Sequence, residues 1–161
     1  MKKIALVAVA AASFAIATPA FAAGFTGPRV GATVGIAGDD FFDTGATTFG
    51  IEAGYDAEVG TNMVVGGQVE YQNDFDNDFG HELAATARLG VKAGPNALVY
   101  ATGGYTNFDL GSVHLDGYRV GAGAEFNLGT GGAHLKVEQR YANYELGGEL
   151  FQTVVGVGFR F

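Results

Sequence analysis

The chain has 161 residues, 17 of them Asp or Glu against nine Lys or Arg, with 27 glycines and neither cysteine nor tryptophan. So acidic a chain, without a basic cluster, repels nucleic acid and cannot hold its phosphates, and a disulfide framework is excluded. Beyond the N-terminus every apolar run is broken by Gly or a charge before it reaches the roughly 18 residues of a membrane helix, so any membrane crossing must be made by strands.

Lys2 and Lys3, the apolar run 4–17, the break at Thr18-Pro19 and the small residues of Ala20-Phe21-Ala22 are the three zones of a secretory signal. Residues 1–22 are predicted to be a signal peptide cleaved after Ala22, leaving 23–161 as one domain of 139 residues. Lys2 and Lys3 leave with the signal, so seven basic residues face 17 acidic ones.

Gly and Asp/Asn then punctuate eight segments that alternate with period two: 28–37, 47–57, 63–72, 82–93, 97–106, 117–128, 133–141 and 150–161. Each has about the 9–11 residues a tilted strand needs to cross a bilayer. Short links (58–62, 94–96, 129–132) alternate with longer ones (38–45, 73–81, 107–116, 142–149), as in an up-and-down barrel with turns on one side and loops on the other. The prediction is an all-β chain: an eight-stranded antiparallel up-and-down transmembrane β-barrel.

The phase of the charges sets its inside. Arg29, Arg88, Lys92, Arg119, Lys136, Arg140 and Arg160 lie within strands, as do Glu52, Asp56, Glu70, Glu82, Glu125 and Glu138. Each shares a strand face with Gly, Thr, Gln or another charge, while the opposite face is apolar; only Gln139 interrupts it. The fifth strand has no charge to fix its phase; Val99, Ala101, Gly103 and Tyr105 are assigned outward. A soluble lipocalin-like barrel would invert this pattern. Three features favour the membrane form. Aromatic residues sit near strand ends on the apolar face (Tyr71, Tyr105, Tyr118, Tyr141, Phe151 at the loop end; Tyr55, Phe126, Phe161 at the turn end). The polar face is rich in Gly. No cation faces lipid, where it would cost about 2–4 kcal/mol at the midplane.

The last strand alternates Phe151, Thr153, Val155, Val157, Phe159 and Phe161 with Gln152, Val154, Gly156, Gly158 and Arg160. Together with Ala20-Phe21-Ala22, the stretch Val137-Glu138-Gln139-Arg140-Tyr141 and the closing Gly156-Val157-Gly158-Phe159-Arg160-Phe161, it resembles the small outer-membrane β-barrel family, similar to the OmpA membrane domain and OmpX and often labelled porin-family outer membrane proteins. That resemblance implies insertion into a Gram-negative outer membrane by the assembly machinery, which reads a C-terminal strand ending in Phe; Phe159 and Phe161 are the implied signal. The peptidoglycan-binding domain that some relatives carry is not seen, so tethering is not inferred.

An eight-stranded interior is just wide enough to be filled by side chains. The barrel-interior charges Arg29, Glu52, Glu70, Glu82, Arg88, Lys92, Arg119, Glu125, Lys136, Glu138, Arg140 and Arg160 are therefore expected to pair, with Glu52, Glu125 and Glu138 engaging Arg88, Lys136 and Arg140. A structural polar plug is favoured over a gated, narrow conductance. The long links carry Asp39, Asp40, Asp43, Asp74, Asp76, Asp78, Asp109, Asp116, Glu145 and Glu149 and no cation. Solvated loops are the plainer reading; the alternative is loose divalent-cation binding that bridges them to lipopolysaccharide phosphates. Phe41, Phe42, Phe75 and Phe79 are read as loop packing rather than adhesive anchors. Ser112, His114 and Asp116 are read as turn chemistry rather than a triad, and His81 and His134 as isolated, so no catalytic residue, metal or cofactor is assigned. The expected role is structural, in envelope integrity, surface contact or lipopolysaccharide association. A low-conductance pore and a lipid-modifying enzyme are the alternatives.

Overall fold

A computed structural model describes residues 24–38, 46–75, 81–109, 114–145 and 148–161. The expected signal peptide lies outside the described residues. Eight strands follow in order: β1 (Gly27–Gly38), β2 (Thr47–Val59), β3 (Met63–Asp74), β4 (His81–Lys92), β5 (Ala97–Asp109), β6 (His114–Asn127), β7 (Ala133–Tyr144) and β8 (Gly148–Arg160). Each pairs antiparallel with the next, and β8 returns to β1 in a register running from Arg29↔Arg160 to Gly38↔Phe151, closing the barrel. Closure leaves no strand edge to expose unpaired backbone to hydrocarbon. Among the described residues no helix is long and apolar enough to cross a membrane.

Alternation decides which side each residue takes. On β8, Gln152, Val154, Gly156, Gly158 and Arg160 are buried, while Thr153, Val155, Val157 and Phe159 are exposed. On β5, Leu98, Tyr100, Thr102 and Thr106 face in; Val99, Ala101 and Tyr105 face out. The outer aromatics gather in two belts. Tyr55, Phe126, Phe159 and Phe161 are exposed near the turn end. Near the loop end Tyr118, Tyr141 and Phe151 stand in a row, with ring centroids 6.4 Å and 5.0 Å apart.

Several strands outrun their predicted limits. β3 continues to Asp74, β5 to Asp109 and β7 to Tyr144, while β6 begins at His114 and β8 at Gly148. The ladder continues through Asn107↔Asp116 and Asn143↔Glu149, positions read from sequence as loop. Outside the apolar belt the outer phase turns polar while Phe108, Leu115 and Tyr144 take the inner one, so the alternation that marks a strand in lipid changes sign although backbone pairing persists. The opposite end is tightly turned. Gly60 and Gly132 adopt φ of 69° and 77°, a conformation that disfavours side chains, and a Cβ at Gly132 would strike the Arg160 carbonyl.

Candidate functional site

The interior is one continuous ion-pair network. At the turn end, Oδ2 of Asp56 accepts from three arginines: Arg29 Nε at 3.0 Å, Arg88 Nη1 at 3.1 Å and Arg160 Nη1 at 3.0 Å. Arg88 and Arg160 also reach Glu125, at 2.7 Å and 2.6 Å, so two guanidinium groups bridge two carboxylates. Arg29 continues upward to Glu52 at 3.3 Å and donates to Gln68 at 2.7 Å. Lys136 joins Glu52 to Glu138. Arg140 joins Glu138, at 2.7 Å, to Glu70, at 2.9 Å. Arg119 completes the path from Glu70, at 2.7 Å, to Glu82, at 3.5 Å. Every one of these charged side chains is at most 5% exposed. Such burial is tolerable only because each charge has partners.

Glycines make the room. A Cβ at Gly54 would lie 3.0 Å from Arg29 Nη2, one at Gly156 2.9 Å from Lys136 Cε and one at Gly123 2.8 Å from the Tyr100 hydroxyl. Their strand phase, visible in the sequence, sets Gly54 and Gly156 against cations and Gly123 against the Tyr100 ring.

Both ends of the column are capped. At the turn end Phe25 is fully buried beside Val64, Leu98 and Tyr100. The Phe25 carbonyl accepts from Arg160 at 2.9 Å, and the Gly24 carbonyl accepts from Asn127 at 3.2 Å. The Arg88 guanidinium lies 3.8 Å from the centre of the Tyr100 ring, whose hydroxyl donates to Glu138 at 2.7 Å. At the loop end Tyr144 packs on Phe108, centroids 5.7 Å apart, and donates to Glu82 at 3.0 Å. Beside them Gln72 and Gln152 both donate to Thr48, at 2.5 Å and 2.8 Å.

Of the predicted interior charges, Lys92 requires correction. It is a rim residue, 21% exposed, paired at 2.6 Å with Glu58. It ends β4, and Glu58 belongs to β2, which extends past the expected stop. The sequence reading missed Phe25, Tyr100 and Tyr144. Phe25 precedes the first strand, Tyr100 sits in the charge-free segment 97–106, and Tyr144 lies beyond the predicted end of β7. Only the interior phase of Tyr100, between Leu98 and Thr102, could have flagged it.

Phe159 and Phe161 both face outward, and the Phe161 N–H donates to the Pro28 carbonyl at 2.9 Å. At the loop rim His114 lies 3.0 Å and His81 3.6 Å from Asp109, while Tyr105 and Asn107 donate to Asp116. His114 thus meets Asp109; Ser112, Asp39, Asp40, Asp43, Asp76, Asp78, Phe41, Phe42 and Phe79 lie outside the described residues. His134, read as isolated, is buried in the interior. Among the described residues no three His, Cys, Asp or Glu side chains converge on a metal position.

The outer membrane protein beta-barrel domain family matches residues 7–161, nearly the whole chain. The chain belongs to this family. Family membership and fold both support a place in the outer membrane. No curated protein matches by sequence. Among solved structures, the chain is similar to Ail of Yersinia pestis in complex with the heparin analogue sucrose octasulfate, with 14% identity and a TM-score of 0.60 over 84% of this chain and 97% of that one. It is similar to the outer membrane enzyme PagL, with 17% identity and a TM-score of 0.59 over 83% and 99%. It also resembles the N-terminal β-barrel domain of Pseudomonas aeruginosa OprF, with 18% identity and a TM-score of 0.56 over 84% and 99%. At these identities the likeness is one of fold.

Proposed function

We propose that this family member is a closed structural barrel of a Gram-negative outer membrane, exported through the periplasm, that serves envelope integrity and surface contact rather than transport. The supporting observation is the interior: a gap-free run of ion pairs from Glu82 to Glu125, capped by Phe25 at one end and Tyr144 at the other. An ion entering that column would have to displace desolvated charge pairs. Planar-bilayer recording of the refolded barrel is expected to show no steady openings; steady, large openings would replace this reading with that of a porin.

The same proposal assigns Phe159 and Phe161 to recognition by the assembly machinery, and the loop carboxylates to lipopolysaccharide phosphates through divalent cations. Calorimetry with calcium and magnesium tests the latter, and the bridge is abandoned if no heat of binding appears. PagL demonstrates that this fold can carry an enzyme. For this chain, Ser112→Ala is expected to leave lipid A unchanged by mass spectrometry.

A further inference from the structure

Between its two aromatic belts the described outer face is apolar except for one pair, Gln139 on β7 and Thr153 on β8. They are register partners, and the Thr153 hydroxyl donates to the Gln139 side-chain carbonyl at 2.6 Å. Gln139 stands two residues inside Tyr141, so it faces hydrocarbon. Its amide N–H groups have no acceptor among the described residues. An unsatisfied donor in lipid is costly, and polar side chains at membrane depth ordinarily face protein or a water-filled cavity. On the neighbouring strand Gln139 is flanked by Ala122, which pairs in turn with Ala101 on β5. Side chains this small let another backbone approach closely.

We propose that this face is a dimer interface in which Gln139 meets Gln139 of a second copy of this chain. A primary amide carries both donor and acceptor, so a two-fold axis beside it lets each copy satisfy the other with the same group. Neither an acyl chain nor a like-charged surface offers that reciprocity. The inference requires the barrel to lie in a bilayer but is independent of whether it conducts.

The chain lacks cysteine, so single cysteines report proximity without background. Ala122→Cys, reconstituted in phospholipid vesicles and oxidised with copper phenanthroline, is expected to give a disulfide dimer. Ile51→Cys, exposed on β2 at the far side of the barrel, is expected to stay monomeric. Adding Gln139→Leu to Ala122→Cys should lower the dimer fraction by roughly five- to ten-fold, the scale of two membrane hydrogen bonds. Gln139→Ala, which removes the same amide, repeats the test if Gln139→Leu fails to fold; it should lower the dimer fraction by a similar factor. Folding of each variant is checked by the mobility shift between unheated and boiled samples. Equal cross-linking at Ala122→Cys and Ile51→Cys, or cross-linking indifferent to Gln139→Leu and Gln139→Ala, overturns the proposal. A monomer throughout, with lipid covering the pair, overturns it as well.

Discussion

At the scale of single residues, Asp56 carries the heaviest electrostatic duty. One of its oxygens serves Arg29, Arg88 and Arg160, all within 3.1 Å. Asp56→Asn keeps the shape but leaves three buried guanidinium groups short of their shared anion. Breaking a buried pair from one side typically costs about 3–5 kcal/mol. The urea midpoint of the folded barrel in detergent should fall accordingly. Lys92→Ala is the contrast: its pair with Glu58 is partly exposed at the rim, and its loss should cost no more than about 1 kcal/mol. Gly123 tests space rather than charge. A Cβ there would crowd the Val137 carbonyl at 2.5 Å and the Tyr100 hydroxyl at 2.8 Å. Because one of those atoms is backbone, Gly123→Ala should destabilise by about 1–3 kcal/mol, readable in the same titration.

At the scale of elements, the strands were legible wherever lipid meets them. β2, β3 and β8 alternate so cleanly that inside and outside follow from the charges alone, and even β5 takes the phase assigned to it. Legibility failed where the contrast reverses sign. Beyond the aromatic belt the outer face meets water, so the added residues of β5 and β6 set Asn107, Asp109, His114 and Asp116 on the outer phase and Phe108 and Leu115 on the inner one, opposite to the rule that marks the rungs in lipid. The partners within the network were also hidden. Alternation shows which face holds a charge, whereas pairs such as Arg140 with Glu70 or Lys136 with Glu52 join strands across the lumen. The segment before β1 was illegible for a third reason: Phe25 has no strand period and is held by the tertiary fold. Phe25→Ala removes a fully buried ring and should cost about 3–5 kcal/mol. Current recordings of that variant should remain silent, because the Asp56–Glu125 layer lies above the cork.

At the scale of the molecule, the surface charge and the interior charge obey different rules. The chain as a whole is strongly acidic, yet the interior network pairs six cations (Arg29, Arg88, Arg119, Lys136, Arg140, Arg160) with six carboxylates (Glu52, Asp56, Glu70, Glu82, Glu125, Glu138). Neutrality inside is what burial demands, and the excess of acid is left to the loops and rims, where water and counter-ions stabilise it. This separation makes salt a probe of the lumen. Raising sodium chloride from 0.1 M to 1 M shortens the screening length from about 10 Å to about 3 Å, but only where ions can enter. If Phe25 and Tyr144 seal the column as proposed, none enter, and the Asp56 and Glu70 clusters should be as strong at 1 M as at 0.1 M. The urea midpoint should therefore hardly move with salt, and the loss caused by Asp56→Asn should be equally large at both concentrations. A water-filled lumen predicts the opposite: its pairs would be screened, and the penalty of Asp56→Asn would shrink markedly at high salt.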